Sequence, residues 1–495
     1  MHHPYDVAIV GAGNAALCAA LAARETGARV VVLESAPEAL SGGNTRFTAG
    51  AMRVVYDGVE DLARLMPDLT EDEKQRTDFG SYPADAFFED MGRVTQYRTD
   101  PDLADTLVQR SLDTLLWMRS KGVRFAPIYG RQAFKVDGRF KFWGGLTVEA
   151  WGGGPGLVDA LTKACRDQGI DILYECRAEQ LVREQEAVAA IIARHRGGKV
   201  SIAASAIVLA SGGFQANPEW RTRYLGAGWD LAKVRGTRFN QGDGLRMALE
   251  IGAASRGNWS GCHAVGWERN APEFGDLDVG DGFQKHSYPF GIMLNARGRR
   301  FVDEGADFRN FTYAKYGRVI LEQPGQFAWQ IFDRKVAHLL RDEYRIKHMT
   351  KVSADSLETL VTKLDDVDPQ AALNEIRSYN AAVDIAKPFD PNIKDGRGTT
   401  GLAVPKSNWA NRIDQPPFEA YAVTCGITFT FGGLSIDSEA RVLDAAGEPI
   451  PGLFAAGEMV GGLFYFNYPG GTGLTSGAVF GRIAGSSAGT LARKA

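Results

Sequence analysis

Tyr5-Asp-Val-Ala-Ile-Val-Gly11-Ala-Gly13-Asn-Ala-Ala16 opens the first organised stretch of the chain, and Arg29-Val-Val-Val-Leu33-Glu34 closes it. Tyr5 to Val10 reads as a buried strand, Gly11 to Ala16 as a tight turn, Leu17 to Thr26 as a helix and Arg29 to Leu33 as a second strand. Gly11 lets the backbone turn, Gly13 lacks the Cβ that would hold a phosphate away, and Ala16 is small enough for close packing of helix on strand. The helix start offers N–H groups and the positive end of its dipole to an anion. Glu34, 23 residues after Gly11, stands where a ribose hydroxyl needs an acceptor. Strand, glycine turn, helix, strand and acid at this spacing predict a dinucleotide site built from Gly11, Gly13, Asn14, Ala15, Ala16 and Glu34.

The rest of the chain is too long for one core. Domains stop growing at roughly 250 to 300 residues, and this chain has 495, so two domains are expected. A net charge of −4 gives no reason to expect nucleic acid or an anionic membrane as partner. Five scattered cysteines (18, 165, 176, 262 and 425) form no C-x-x-C pair, which argues for a reducing compartment and against a built-in haem or iron–sulfur cluster. Met1-His-His-Pro4 carries no leader signal, and no apolar run is long enough to span a membrane. A soluble, cytoplasmic protein without direct membrane insertion is expected. The seven histidines show no H-x-x-x-H or H-E-x-x-H spacing, so no metal centre is expected.

Glycine clusters recur where strands end. Ser41-Gly-Gly-Asn-Thr-Arg-Phe-Thr-Ala-Gly50 is a polar loop suited to fold over a cofactor, and residues 60–122 carry mostly helical spacing. Trp151-Gly-Gly-Gly-Pro-Gly156 opens a helix from Leu157 to Gln168, followed by strands at Asp171–Glu175, Ala178–Arg183, Ala187–His195 and Ala206–Leu209. The last of these stops at Ser211-Gly212-Gly213-Phe214, where backbone can approach a ligand. Asp243 precedes a helix over Leu245–Ile251, as a ligand or simply as its N-cap. From Asn258 to Thr428 aromatics, prolines and mixed charges interrupt the βαβ rhythm. It resumes with strands at Leu434–Asp437 and Leu453–Ala456, a turn at Pro449–Gly452, then Gly457-Glu458, Pro469-Gly-Gly-Thr-Gly473 and a helix over Leu474–Ala488. The expected architecture is α/β: a discontinuous Rossmann-like domain over 1–257 and 429–495, with an α+β capping domain inserted at 258–428.

Glycine loops at both chain ends, Gly-Gly-Asn-Thr ending at 45 and Ala-Ala-Gly-Glu at 455–458 resemble the flavoprotein family of fumarate reductase and succinate dehydrogenase. Within it the chain is most similar to FAD-dependent tricarballylate dehydrogenases, through Gly11–Ala20, Phe301–Asn310 and Gly461–Gly471. The resemblance implies FAD with its adenosine near Glu34 and the Val182 backbone and its pyrophosphate at Gly11–Ala16. Gly42, Gly43, Asn44, Thr45, Thr48, Ala49 and Gly50 would line the flavin, with Gly212, Gly213 and Asp243 also in the cofactor set. Gly457 and Glu458 would hold the ribityl chain. The helix beginning around Gly473, Leu474 and Thr475 would aim its N–H groups at the flavin N1 and C2 carbonyl, where a reduced flavin is negative. The family's flavin-bearing histidine has no counterpart in Ser41–Thr45, so noncovalent FAD is expected.

Making or removing a double bond beside a carboxylate needs a hydride path, a proton path and positive groups to hold the acid. Arg300-Phe-Val-Asp-Glu304 followed by Arg309 resembles the family's proton-transfer segment with one residue more, so Arg309 is the expected acid–base, relayed by Glu304 or Asp307; it is otherwise a structural ion-pair partner. His263 is an expected carboxylate ligand or a satisfied core residue, and His286, beside Lys285, is another. Fumarate reductases carry a histidine and an arginine where this chain has Phe429 and Tyr468, so plain succinate or fumarate is not expected. Arg397, Lys406, Arg53 and Lys285 are available as replacement cations. Tyr468 beside Pro469-Gly-Gly also resembles 3-ketosteroid dehydrogenases, in which it would polarise a ketone; otherwise it packs between domains. The expected reaction is tricarballylate to cis-aconitate, a small polycarboxylate as partner, with electrons leaving to an external acceptor such as a membrane or iron–sulfur protein. Alternatives are a ketone desaturase, a fumarate reductase-like enzyme, or a flavin-binding electron carrier without dehydrogenase turnover.

Overall fold

The apolar runs at the two chain ends meet in one six-stranded sheet, ordered Arg441–Leu443, Pro449–Ala455, Ala206–Leu209, Val7–Val10, Val30–Leu33, Asp171–Leu173. All neighbours are parallel except the first pair. This is a computed structural model, and it describes residues 5–142 and 145–494. Met1–Pro4, expected to carry no leader, therefore lie outside the described residues.

Register decides where chemistry can gather. Val10 pairs with both Leu33 and Leu209, and Leu209 with Ala455, so four strands end level with one another. Beyond their ends the chain runs into Gly11, Glu34, the Ser211-Gly-Gly turn and Gly457-Glu458 respectively. In an open parallel sheet the crevice beyond these carboxyl ends is where ligands bind. Every residue of Val7–Val10 and Ala206–Leu209 is buried, as the continuous apolar runs require.

Several boundaries differ from the sequence reading. The first helix spans Asn14–Glu25, starting three residues before Leu17, because extended Gly13 is its N-cap and Asn14–Ala16 form the first helical turn. The helix Gly153–Asp167 likewise begins inside the glycine cluster, with Pro155 in a first turn that lacks hydrogen-bonded N–H groups in any case. Pro449–Gly452, read as a turn, belongs to the strand Pro449–Ala455, and Leu434 ends the 17-residue strand Phe418–Leu434. Residues 59–120 are largely helical, as the spacing predicts: Val59–Leu65, Glu71–Arg76, Ala84–Val94 and Pro101–Ser120.

The C-terminal helix Thr472–Lys494 lies against the first helix along a line of small residues. A Cβ on Gly481 would strike the Ala15 carbonyl, one on Gly485 the Ala19 carbonyl, and one on Gly489 would lie 3.0 Å from the Ala23 carbonyl. Glycine at every fourth position on one helix, against Ala15, Ala19 and Ala23 on the other, lets the two backbones come into van der Waals contact.

The chain divides into two compact units, residues 1–230, 236–262 and 428–495 forming one, and 231–235 and 263–427 the other. The second is α+β: strands Ile292–Leu294, Phe327–Phe332 and Lys351–Ala354 pair with each other or with Phe418–Leu434, and helices Tyr313–Leu321 and Pro369–Ala382 accompany them. Trp329, Ile331, Ile376, Tyr379 and Ala420 share its main core. Inside it Arg300 and Glu304 form a fully buried ion pair at 2.6 Å. Glu304 also accepts from the Met293 N–H at 2.8 Å, while Asn408 donates to the Gly305 carbonyl, also at 2.8 Å. These bonds fix the turn that leads to Arg309. Among the described residues no helix is long and apolar enough to cross a membrane.

Candidate active site

In the first unit the expected cofactor residues come together. The N-cap Gly13 has no side chain to offer the Asn14–Glu25 helix, so beyond the Asn14 N–H the first turn faces the Gly11–Gly13 approach. The Asn14 N–H donates to Thr45 Oγ1 at 3.1 Å, and the Asn14 amide donates to the Leu474 carbonyl at 2.8 Å. One residue thereby joins the fingerprint to the polar loop and to the C-terminal helix. Gly457 lies over Ala15, where an added Cβ would come within 2.8 Å of the Ala15 methyl. Gly13 and Gly43 face each other closely enough that a Cβ on Gly43 would sit 3.9 Å from the Gly13 Cα.

The polar loop is held by its own hydroxyls. Thr48 donates to the Thr45 carbonyl and accepts from the Gly50 N–H at 3.1 Å, setting Thr45 to Gly50, Ala49 included, as a tight bend. Left-handed Gly42 and Gly50 (φ 102° and 72°) make the bend possible, and Gly153 lies so close that a Cβ on Gly50 would meet it at 2.7 Å. Asn44 accepts from the Thr237 N–H at 2.9 Å and donates to the Thr428 carbonyl.

Two acids are buried here. Glu34 accepts from the Ala12 N–H at 2.9 Å and the Ala36 N–H at 2.7 Å, and burial pushes its carboxyl up from the usual range. A carboxylate offers about four acceptor sites, so capacity for a ribose hydroxyl remains. Glu458 accepts from the Thr430 N–H at 2.8 Å and the Gln215 amide at 3.2 Å, and burial pushes it up to about 7. Gly213 lies against Glu458 and Thr430 so closely that any Cβ would collide with both, and Gly212 is wedged against the Asn240 side chain.

Two expected residues belong to neighbouring elements. Val182 is half-buried in the antiparallel sheet Cys176–Glu184, Ala187–His195, Gly198–Ala203, opposite Ala190 at a bulge, although the start of its strand bonds to the Glu34 carbonyl. Asp243 is the first residue of the Asp243–Glu250 helix and not its cap. That position belongs to left-handed Gly242, and the Asp243 carboxylate is gripped by Arg177 through two 2.8 Å bonds.

The second unit gathers the basic candidates. His263 and His286 meet the Tyr313 ring edge-on, centroids 5.0 and 4.9 Å away, and Arg309 Nη1 lies 3.4 Å from His286 Nδ1. Burial and the nearby Arg235 charge hold His263 well below its usual pKa, so its imidazole is neutral. The other proposed cations have structural duties. Lys285 is buried, pushed down to about 8, and donates to the carbonyls of Gly282, Phe283 and Gln284; Lys406 donates to the Gly291 carbonyl. Arg397 holds the Ala410 carbonyl at 2.7 Å and Arg53 the Gly470 carbonyl at 2.9 Å.

Sequence reasoning passed over Thr237, Thr428, Thr430, Gln215 and Tyr313. Gln215 directly follows Gly-Gly-Phe, and Tyr313 opens the Tyr313–Leu321 helix four residues after Arg309. The threonines carry no such mark. Phe429 and Tyr468 sit edge-to-face, 5.2 Å between centroids, and a Cβ on Gly473 would lie 3.7 and 3.8 Å from their rings. They therefore flank the start of the C-terminal helix. Thr475 anchors that helix start by donating to the Arg53 carbonyl at 2.8 Å. Among the described residues no cluster of histidine, cysteine or acid could hold a metal ion.

A family model described as an FAD binding domain matches residues 6–474. The chain is 31% identical over 487 residues to a probable fumarate reductase Ifc3 of Shewanella frigidimarina (strain NCIMB 400), covering 98% of this chain and 74% of that protein. It is 28% identical over 502 residues to a fumarate reductase (cytochrome) of Shewanella frigidimarina, covering 100% and 78%. The solved open conformation of a flavocytochrome c3 fumarate reductase superposes with a TM-score of 0.74 at 29% identity, over 99% of this chain and 78% of that one.

Proposed function

Because the chain belongs to the FAD-binding flavoprotein family of the fumarate reductases, oxidoreductases of CH–CH bonds, we propose that it interconverts a saturated carboxylic acid and its α,β-unsaturated counterpart. The observation that carries this is the convergence of Gly13, Asn14, Thr45, Gly457 and Leu474, drawn from both chain ends, on one helix start whose N-cap, Gly13, has no side chain. The donor set fits FAD: the N–H groups of the helix start after Asn14 for a pyrophosphate, Glu34 for a ribose hydroxyl and Glu458 for a ribityl hydroxyl. When bound, FAD supplies a two-electron hydride acceptor or donor. The start of the C-terminal helix, from Gly473 to Thr475, would stabilise negative charge on the reduced ring through its dipole.

In this reading the second unit supplies the acid–base and carboxylate-holding groups. Arg309 passes the proton, and its guanidinium, with a pKa above about 12, needs a carboxylate to relay through. Asp307 suits that relay better than Glu304. Glu304 is fully buried and engaged by Arg300 and the Met293 N–H, whereas Asp307 stands two residues from Arg309, accepts the Phe308 N–H at 2.8 Å and lies 3.6 Å from the half-exposed Lys394 ammonium. Neutral His263, and His286 across the Tyr313 ring, offer hydrogen bonds to a carboxylate, and Arg309 a charge-assisted one.

The specific member of this class suggested by Phe301–Asn310 and Gly461–Gly471 is tricarballylate, oxidised to cis-aconitate, with electrons passed to an external acceptor. Tyr468, packed between Phe429 and Phe464, supports the second reading, a ketone held against apolar walls. The five cysteines, all buried and unbridged, are the reason for assigning a reducing compartment such as the cytoplasm. The test is anaerobic titration of the purified yellow protein at 450 nm with tricarballylate, succinate, other saturated acids and a 3-ketosteroid. Bleaching by an acid supports the proposal. Bleaching by the ketone alone moves the assignment to the second reading, and no bleaching by any compound leaves an electron carrier.

A further inference from the structure

Around the start of the C-terminal helix the first unit presents phenyl and phenol rings. Phe429 is edge-to-face with Phe431, Phe464 and Tyr468 at centroid distances of 5.4, 5.9 and 5.2 Å, and Phe464 meets Tyr468 at 5.4 Å. Three of the rings are buried, and Phe429 remains partly exposed. The set is fixed from behind, since Gly432 leaves no room for a Cβ against Trp259, which stacks on Phe214 at 5.8 Å. Gly473 places Phe429 and Tyr468 beside the helix end assigned above to the flavin ring.

An ionised carboxylate laid on this surface would lose water and meet ring faces that are themselves negative. A flat apolar group loses nothing and gains edge-to-face contact with rings already set at that geometry. We infer that the substrate is a carboxylic acid carrying a flat apolar group, an aromatic or cyclohexane-type ring, next to the carbon–carbon bond that reacts, with Phe429 as the residue that selects it. The inference rests on the carbon–carbon oxidoreductase reading and, within it, replaces tricarballylate, which the sequence resemblance suggests, with a ring-bearing acid.

Phe429 is a specificity residue by this argument. The other rings are its packing, and its exposed edge is the part a ligand meets. Deleting a complementary group from an apolar pocket costs roughly 10- to 200-fold in discrimination.

The test is calorimetric binding of 3-phenylpropanoate, cyclohexanecarboxylate, succinate and tricarballylate to the FAD-loaded protein at pH 7, with flavin bleaching recorded in parallel. At least one ring acid should bind tenfold or more tighter than succinate and tricarballylate, and Phe429→Ala should collapse that ratio toward one. Phe429→Leu, which keeps an apolar side chain and much of the packing volume, should retain part of the ratio and serves if the alanine variant does not fold. Tighter binding of succinate or tricarballylate, or an unchanged ratio in the leucine variant, overturns the inference and leaves the oxidoreductase reading standing. No binding and no bleaching with any acid overturns both.

Discussion

Gly485→Ala tests the helix contact on which the cradle is built. On an exposed helix this change is stabilising by about 1 kcal/mol, because alanine is the better helix former. Here the added methyl falls on the Ala19 carbonyl, with the carbonyl carbon at 2.7 Å and the Cα at 2.8 Å, and the obstacle is backbone that cannot rotate aside. Overpacking of this kind costs about 1–3 kcal/mol. Set against the propensity gain, a net loss of up to about 2 kcal/mol is expected. The two helices must separate, which also displaces Asn14 from Leu474, so FAD should bind at least severalfold more weakly. Urea denaturation followed by circular dichroism gives the first quantity and fluorescence titration of the flavin-free protein the second. Gly130→Ala, where an added Cβ meets nothing within 4 Å, is the control and should be neutral or slightly stabilising. A Gly485→Ala protein more stable than the parent would refute the reasoning.

Three further outcomes are expected. Arg309→Gln should keep the yellow flavin and reduce turnover by about 10²–10⁴-fold, the usual worth of a positioned acid–base; near-normal kcat would remove Arg309 from proton transfer. For Glu458 the folded-state pKa of about 7 lies above the ordinary 4.5. Between those values the folded protein holds a proton the unfolded chain has lost, so stability falls as pH rises, by at most about 1.4 kcal/mol per pH unit, and levels off above 7. Glu458→Gln should flatten that slope relative to the parent in flavin-free protein, and identical slopes would mean the carboxyl is ionised throughout. Glu304→Ala strands a buried guanidinium and should cost about 3–5 kcal/mol, whereas an exposed pair would cost less than about 1; thermal denaturation distinguishes the two.

The strands around the cradle were legible because a buried parallel strand is a continuous apolar run, as in Val7–Val10 and Ala206–Leu209, and because a glycine doublet after such a run marks close backbone approach. Asn14, Thr45 and Glu458 were legible as neighbours of those glycines. Boundaries were less so. The glycines before the Gly153–Asp167 helix look like breakers, yet tertiary contact with Thr45 and Thr48 makes them its first turn. Asp243 has the composition of a cap or ligand, and only the fold brings Arg177 to it. Lys285 shows the same limit from the other side, since a lysine next to a histidine reads as a clamp until three carbonyls of its own turn are seen around its ammonium. The glycine line 481, 485, 489 has a four-residue period that sequence displays plainly, but its partner alanines lie more than 460 residues earlier and carry no matching signal.

That distance along the chain has a consequence for synthesis in the cell. Leu474 reaches Asn14 only after more than 440 further residues have followed the first helix out of the ribosome, and Pro449–Ala455 completes the sheet beside Ala206–Leu209 only shortly before. The opening βαβ segment must wait, with the Ala15–Ala19–Ala23 face of its helix uncovered, until the Thr472–Lys494 helix emerges. Ribosome-stalled chains ending before residue 449 should therefore retain no flavin, and chaperone demand should fall on the first 200 residues during that interval.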